Sequence, residues 1–516
     1  MLINIHCAKC VGIEAVPVVV EVDIATGIGI HLVGLADTAI KESLLRTITA
    51  LQSMGFRIPG RKIVINLAPA DMHKKGSGYD VPIALGIIAA SGQRPLPELE
   101  HFLIMGELGL DGTVRDIPGA LPIVELALRD GLKGCILPLG SALEAVEFSN
   151  IEVYGVTTLE EVLRIVEGTR RDDLLVQNRQ PEKGECHSIG VADLNTMDFS
   201  EIIGQEAAKR GLEIAAAGGH NIMLIGSPGS GKSSLAKAMA GILPPMSLEE
   251  SLQTSKIYSV AGKGNSSGGL IRVRPFRSPH YSVSVAALLG GGSESIMPGE
   301  ISLAHNGVLF ADEFCEAPKR IIEVLRAPME DRKVTISRLK SKVEFPADFM
   351  LIAATNPCPC GYYGDGDRCT CTPSKRIAYI SKLSGPIMDR IDLHIFLRAI
   401  DPRKLVERQK AESSSKVAAR VLAARNIQKE RFVDDGIFCN AAMNNRMIEK
   451  YCPLSIECKG LLERIIGNMN LSARACSRII KMARTIADLA GVKDILPEHI
   501  SEASGYRFLD KQNIFE

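Results

Sequence analysis

A glycine-rich segment in the middle of the chain constrains the fold more than any other feature. It reads Gly226, Ser227, Pro228, Gly229, Ser230, Gly231, Lys232, Ser233. An apolar run, 221–225, precedes it as a predicted buried strand, and residues 234–240 follow with helical spacing. Such a loop gathers backbone N–H groups around phosphate oxygens at a helix N-terminus. A chance glycine-rich turn is the alternative, but every fixed position of the phosphate-binding pattern is filled. The segment therefore predicts a nucleoside triphosphate site, with Lys232 on the phosphates and Ser233 on Mg²⁺.

Two further apolar strands end in polar side chains that suit nucleotide hydrolysis. Residues 308–311 lead into Asp312 and Glu313. We expect Asp312 to hold Mg²⁺ and Glu313 to orient and deprotonate the attacking water. An ordinary strand ending at an acidic turn is the alternative. Residues 349–355 lead into Asn356, whose amide can bridge the water and the γ-phosphate, because ligands bind at the carboxyl edge of such sheets.

Two arginines are candidates for stabilising the charge on the γ-phosphate. Arg390 follows a Pro-Ile-Met-Asp segment, and Arg474 opens a predicted helix in the last part of the chain. A guanidinium delivered from a neighbouring subunit accelerates hydrolysis by about 10³-fold or more. On spacing alone, a surface salt bridge explains either arginine equally well.

Four cysteines lie within 14 residues, and they form the pairs Cys358, Cys360 and Cys369, Cys371. Four thiolates on two short turns suit a tetrahedral structural Zn²⁺. The Cys-x-Cys spacing is less common than Cys-x-x-Cys, so reduced thiols and redox pairing stay open as alternatives. We favour a structural zinc site just after Asn356.

Length and charge limit the remaining possibilities. The 516 residues allow three or four domains, and 60 basic residues balance 60 acidic ones, so nucleic-acid binding needs local clusters. The N-terminus has no secretory pattern, the apolar runs are too short for a membrane span, and the 13 cysteines suit a reducing compartment. We expect a cytoplasmic protein of four parts: an α/β domain 1–167, a linker 168–197, an α/β ATPase core 198–400, and a helical region 401–516.

A resemblance to a known family rests on three runs, residues 274–280, 290–292 and 298–313. They resemble the magnesium-chelatase-like AAA+ ATPases, and within these the ComM (YifB) family. The likeness spans nearly the whole chain. It implies an AAA+ P-loop core with a C-terminal helical lid, preceded by a Lon-protease-like N-terminal domain. It also implies sensor 1 at Asn356, the arginine finger at Arg390 and sensor 2 at Arg474.

The same resemblance implies a Mg²⁺-dependent ATPase that forms a homo-oligomeric ring, commonly a hexamer, with ATP between subunits. The work expected of it is DNA helicase or branch-migration activity in natural transformation or recombination. A basic alternating run, 330–345, is then similar to the pre-sensor 1 hairpin, and a second insert, 256–297, accompanies it. We expect Arg332, Lys333 and Arg338 to contact DNA. The alternative is a solvated charged hairpin, which is what such runs usually form.

Two other functions compete with a DNA motor. A chelatase-type motor that remodels proteins for metal insertion would need a separate partner subunit and would respond little to DNA. An ATP-dependent protease would need the Lon-type serine and lysine. The nucleophile position falls on Gly78 rather than Ser77, and residues 117–121 contain no lysine, so the N-terminal domain is expected to be inactive as a protease.

Overall fold

The N-terminal part of the computed structural model is built on a mixed seven-stranded sheet, in which the strand order is β3-β4-β2-β1-β5-β8-β9. From Val18 to Val22 of β2, buried positions alternate with partly buried ones, as expected for a strand with one face on the core. The elements of this part are β1 (Ile3–Val11), β2 (Glu14–Ala25), β3 (Gly29–Val33), α1 (Thr38–Ser53), β4 (Lys62–Ala68), α2 (Asp80–Ala90), β5 (Phe102–Ile104), β6 (Glu107–Leu108), β7 (Val114–Arg115), α3 (Ala120–Arg129), β8 (Gly134–Pro138), α4 (Leu139–Leu143), β9 (Glu152–Val156) and α5 (Leu159–Val166).

The central part contains a five-stranded, fully parallel sheet in the order β11-β14-β17-β10-β18. Its elements are α6 (Glu206–Gly218), β10 (Ile222–Gly226), α7 (Lys232–Ala240), α8 (Leu248–Val260), β11 (Phe276–Arg277), α9 (Val285–Leu289), β12 (Gly290–Gly291), β13 (Met297–Pro298), α10 (Glu300–Leu303), β14 (Val308–Ala311), α11 (Lys319–Val324), α12 (Arg326–Asp331), β15 (Lys333–Arg338), β16 (Ser341–Pro346), β17 (Met350–Thr355), α13 (Pro373–Ile380), α14 (Gly385–Met388) and β18 (Leu393–Leu397).

Both faces of the parallel sheet are covered. Along β10 every residue is buried, and the side chains alternate between two cores: Ile222 and Leu224 join one, Met223 and Ile225 the other. A run of consecutive apolar residues is the signature of a parallel strand buried on both sides. This arrangement leaves the carboxyl edge of the sheet as the place where loops can form a site.

The C-terminal part is helical and packs against α6 of the central part. Its helices are α15 (Ser414–Arg431), α16 (Asn445–Tyr451), α17 (Ile456–Met469), α18 (Ala473–Leu489) and α19 (Pro497–Gly505). The predicted α/β fold class, a parallel P-loop core followed by a helical region, is therefore confirmed.

The structure describes residues 2–34, 38–71, 74, 76–169, 171–178, 197–265, 268–292, 296–338, 341–398 and 411–510. Most of the predicted linker 168–197 and the first ten residues of the predicted helical region 401–516 lie outside these ranges. Within the described ranges, no helix combines the length and the apolar character that a membrane span requires.

Candidate active site

The glycine-rich loop joins β10 to α7 at the carboxyl edge of the parallel sheet. Gly229 and Gly231 have φ angles of +79° and +90°, a conformation that glycine adopts without strain. Lys232 is the first residue of α7, and its ammonium donates hydrogen bonds to the carbonyls of Gly226 (2.7 Å) and Ser227 (3.1 Å). Desolvation by burial lowers the pKa of Lys232. The loop thus holds one cation at the N-terminus of a helix, as a phosphate site requires.

The oxygen atoms expected to ligate Mg²⁺ lie together. The Ser233 hydroxyl donates to the Asp312 carboxylate over 3.0 Å, joining the start of α7 to the end of β14. Hydroxyl and carboxylate oxygens are the ligands that Mg²⁺ prefers, so the donor set fits this ion. When bound, Mg²⁺ would neutralise charge on the phosphates.

Glu313 and Asn356 complete this group. Glu313 has a left-handed backbone with φ +50°, its N–H donates to Asp312 over 2.9 Å, and its side chain is exposed. Such a φ is uncommon outside glycine and turns the chain sharply after β14. The Asn356 amide oxygen, just after β17, accepts a hydrogen bond from the Lys232 ammonium (3.2 Å). The structure therefore brings Lys232, Ser233, Asp312, Glu313 and Asn356 to one edge.

Gln205 supports this site and was not identified by sequence reasoning. It has φ +59° just before α6, and its side-chain amide donates to the carbonyls of Arg398 (2.8 Å) and Ser230 (3.3 Å). It therefore ties the phosphate loop to the end of β18. Both contacts are to backbone atoms far away in sequence, so no local pattern could single out this glutamine.

The two candidate arginines lie at the opposite edge of the sheet. The Arg390 carbonyl accepts a hydrogen bond from the side chain of Asn221 (2.9 Å), the residue before β10, whereas the phosphate loop begins at the far end of β10. The five residues of β10 separate the two edges by about 15 Å. Arg474, near the start of α18, lies 4.0 Å from Asp389 on the Arg390 side. Neither arginine lies beside the phosphate loop of its own chain.

The four cysteine sulfurs gather as the sequence suggested. All four lie within 4.8 Å of one another, and the Cys369 sulfur is 3.8 Å from Cys358 and 3.7 Å from Cys360. Zn–S bonds of about 2.3 Å in a tetrahedron place sulfurs about 3.8 Å apart. A backbone hydrogen bond from Tyr362 lowers the pKa of the Cys360 thiol to about 6. This cluster has the chemistry and the dimensions of a structural zinc site.

The cysteine loop packs against the phosphate loop. Gly361, between the two cysteine pairs, has φ +87°, and a Cβ added there would lie 3.0 Å from Cδ of Pro228. A Cβ added to Gly364 would lie 2.8 Å from Cζ of Phe396 in β18. A metal bound by the cysteines would therefore hold this loop beside the nucleotide site.

The basic run forms a two-stranded hairpin, but a shorter one than the predicted segment 330–345. Helix α12 extends to Asp331, and Arg332 ends it in a left-handed conformation (φ +53°). Glu330–Arg332 are therefore not strand residues, because the helix capping geometry outweighs the alternating pattern. β15 and β16 then pair from Lys333 opposite Pro346 to Arg338 opposite Ser341.

The three candidate DNA-contacting residues are not equivalent in position. Arg332 and Lys333 lie at the base of the hairpin, where they pair with Asp348 (2.9 Å) and Glu344 (2.9 Å). Arg338 lies near the tip, about 17 Å further along the six residues of β15. There the hairpin meets the second insert: a Cβ added to Gly291 would be 3.8 Å from the Arg338 guanidinium.

A parallel sheet in this strand order, a phosphate loop after its β10 strand, an acidic pair after β14 and a C-terminal helical region define a P-loop ATPase of the AAA+ class. Comparison with known families agrees. Residues 198–405 match the magnesium chelatase subunit ChlI family, residues 20–141 match a second profile of that subunit, and residues 411–507 match its C-terminal profile.

Individual relatives extend over nearly the full chain. An uncharacterized protein, YifB, from Salmonella typhimurium is 40% identical over 510 residues, covering 98% of this chain and 97% of its own. The competence protein ComM from Haemophilus influenzae is 38% identical over 505 residues, with the same coverages. The DNA replication licensing factor Mcm6 from Drosophila melanogaster is 25% identical over 342 residues, covering 61% of this chain and 37% of its own. The chain belongs to the magnesium-chelatase-like AAA+ ATPase family that includes YifB and ComM. Membership implies ATP and Mg²⁺ as cofactors.

Proposed function

We propose that this protein is a cytoplasmic, Mg²⁺-dependent AAA+ motor that assembles as a hexameric ring and moves on DNA, as a helicase or branch-migration enzyme in natural transformation or recombination. The observation that carries the proposal is the meeting of the two inserts. Gly290 of the second insert lies against Ile336 of the hairpin, and Arg338 stands beside them near the hairpin tip. One basic element in each subunit of a ring would surround a phosphate backbone.

The relatives support DNA as the substrate. One is named a competence protein, and a more distant one is named a DNA replication licensing factor. The ring is supported by the placement of Arg390 and Arg474, which requires a neighbouring subunit if they are to act on a nucleotide. In the proposed site, Lys232 binds phosphates, Ser233 and Asp312 hold Mg²⁺, Glu313 activates water, and Asn356 orients it.

The test is the steady-state ATPase rate with and without single-stranded and branched DNA, at low and moderate salt. We expect DNA to stimulate turnover, and we expect the stimulation to weaken as salt rises, because phosphate contacts release counterions. Arg338→Ala should reduce the stimulation strongly. Neutralising Arg332 and Lys333 should reduce the stimulation less, since both lie at the base of the hairpin and not near its tip. Arg464→Ala, an exposed arginine on α17, is the matched control.

The second candidate is a protein-remodelling motor, which the chelatase names of the matching profiles favour. Turnover that no DNA stimulates, together with normal basal activity, would select this function over the DNA motor. A protease is the weakest candidate, because the Ser77 hydroxyl donates to the Glu107 carboxylate and the Lys74 ammonium donates to the Pro69 carbonyl. Neither bond joins a serine to a lysine base.

A further inference from the structure

The guanidinium of Arg390 is held by contacts within its own subunit. One nitrogen donates to the carbonyl of Pro386 (2.7 Å), another forms an ion pair with the Glu330 carboxylate, and the side chain is only 11% exposed. Its Nε atom is buried and makes no hydrogen bond to any described residue. An arginine that is buried and paired with a carboxylate presents little charge to a phosphate in another subunit.

Glu330 belongs to the element that carries the hairpin. It is the fifth residue of α12, and only Asp331 and Arg332 separate it from the first residue of β15. Arg332 fixes this junction through its left-handed backbone and its ion pair with Asp348. A displacement of the hairpin base would therefore move Glu330 directly. The Glu330 side chain is 58% exposed, so its carboxylate can return to water at little cost.

We propose that Glu330 is a positioning residue that restrains Arg390 in a retracted state until the hairpin engages DNA. The inference rests on the proposed function, because it takes Arg390 to act on the nucleotide of a neighbouring subunit. DNA bound at the hairpin shifts α12, the ion pair opens, and the guanidinium becomes available to the adjacent γ-phosphate. Glu330 thereby couples the DNA site of one subunit to hydrolysis at the interface.

The test is Glu330→Gln, which keeps the size of the side chain and one acceptor oxygen and removes its charge. We expect the DNA-free kcat to rise about two- to fivefold, because this factor corresponds to the strength of an ion pair with one exposed partner. The DNA-stimulated kcat of the variant should stay near that of the parent. The ratio of DNA-stimulated to DNA-free kcat in the variant should therefore approach one. The KM for ATP should not change, because the phosphate loop lies at the other edge of the sheet.

Two further variants separate coupling from a general structural effect. Asp331→Asn changes the adjacent, exposed carboxylate of the same helix and should leave both rates as they are. In an Arg390→Ala background, Glu330→Gln should have no effect, because there is no finger left to release. An additional change in that background would show that Glu330 acts through something other than Arg390, and would overturn the proposal.

The outcomes distinguish this proposal from the proposed function. If DNA stimulates the parent chain and Glu330→Gln equally, the restraint does not exist. If Glu330→Gln lowers kcat with and without DNA, Glu330 holds the finger in its active pose, and the proposal is wrong. If no DNA stimulates the parent chain, the DNA motor fails, yet a higher kcat in Glu330→Gln would still support the restraint and an unchanged one would overturn it.

Discussion

Two adjacent carboxylates occupy different environments at the end of β14. Asp312 accepts hydrogen bonds from Ser233 and from the backbone of Glu313, whereas the Glu313 side chain is exposed. A carboxylate engaged in this way is suited to ligate Mg²⁺, and an exposed one next to it is suited to accept a proton from water. The left-handed turn at Glu313 (φ +50°) accompanies this difference between two adjacent residues.

We expect Glu313→Gln to bind ATP normally and to lower kcat on the order of 10²-fold or more, because the amide cannot accept the proton from the attacking water. Equilibrium binding of ATP and steady-state hydrolysis, measured on the same preparation, check this. Lys232→Ala should instead weaken binding itself.

The control for this prediction is Glu316→Gln, three residues further on. Glu316 accepts a hydrogen bond from Tyr379 over 2.8 Å and has no place in the proposed chemistry, so the variant should hydrolyse ATP nearly as the parent does. Parental turnover in Glu313→Gln would contradict the assignment of the general base.

At the scale of residues, the sequence was sufficient to identify candidate site residues that are marked by their neighbours along the chain. Lys232, Ser233, Asp312 and Asn356 were all found as strand ends or loop residues, and the structure brings them together. Glu330 could not be found, because its contact with Arg390 joins residues 60 positions apart in the sequence.

At the scale of elements, the cysteine loop contacts the phosphate loop, since Gly361 packs on Pro228. We expect the purified chain to contain about one zinc ion, and Cys369→Ser to lose it. Without the metal the loop would no longer be held beside Asn356, and turnover should fall on the order of tenfold, because small misplacements in an active site are costly. Metal analysis together with ATPase kinetics would check both effects.

Cys10→Ser is the matched control. Cys10 lies in the N-terminal part, where its thiol donates weakly to the Gly119 carbonyl, and a serine can make the same bond. The zinc content and the turnover of the Cys10→Ser variant should equal those of the parent. Full activity in Cys369→Ser after complete loss of metal would show that the loop needs no zinc to support the site.

Element types were predicted better than element ends. The helix expected over 234–240 lies within α7 (Lys232–Ala240), and the strand expected over 349–355 is β17 (Met350–Thr355), because apolar periodicity reports directly on burial. The hairpin was expected three residues too early, since the alternating pattern of 330–332 could not reveal that α12 continues to Asp331.

At the scale of the whole molecule, the N-terminal part docks on α8 of the central part. The backbone N–H of Gly119 donates to the Ser259 carbonyl over 2.9 Å, and Lys256 pairs with Glu125. Glu144 lies buried in the same contact, where burial raises its pKa to about 7, partly offset by a hydrogen bond from Ser259.

The buried Glu144 makes this contact dependent on pH. Its folded pKa lies above the ordinary value of 4.5, so its contribution to stability is complete below about pH 4.5 and is lost as the pH rises through about 7. Glu144→Gln removes the charge permanently and should stabilise the protein at pH 8 by up to about 3 kcal/mol. Thermal or urea unfolding of the parent and of Glu144→Gln between pH 5 and 8 would check this. An equal dependence of the free energy of unfolding on pH in the two proteins would contradict it.

The position of Arg390 and Arg474 has a consequence for assembly. The nucleotide site and the candidate arginines lie at opposite edges of one parallel sheet, so in the proposed ring each subunit would contribute one half to each of two sites. A Lys232→Ala subunit lacks the phosphate lysine but still offers Arg390 to its neighbour, whereas an Arg390→Ala subunit has an intact phosphate loop. We expect each variant alone to be nearly inactive and an equal mixture to recover about one quarter of parental activity, the share of interfaces that unite two intact halves in a randomly mixed ring.

A mixture of Lys232→Ala and Asn356→Ala provides the control for this last prediction. Both residues belong to the same half-site, where the Lys232 ammonium donates to the Asn356 amide over 3.2 Å, so no interface can unite a good copy of each. This mixture should stay inactive. Recovery in this control would show that the recovered activity does not depend on pairing the two edges of the sheet. If the first mixture fails to recover although size-exclusion chromatography shows that both variants assemble together, Arg390 does not act between subunits.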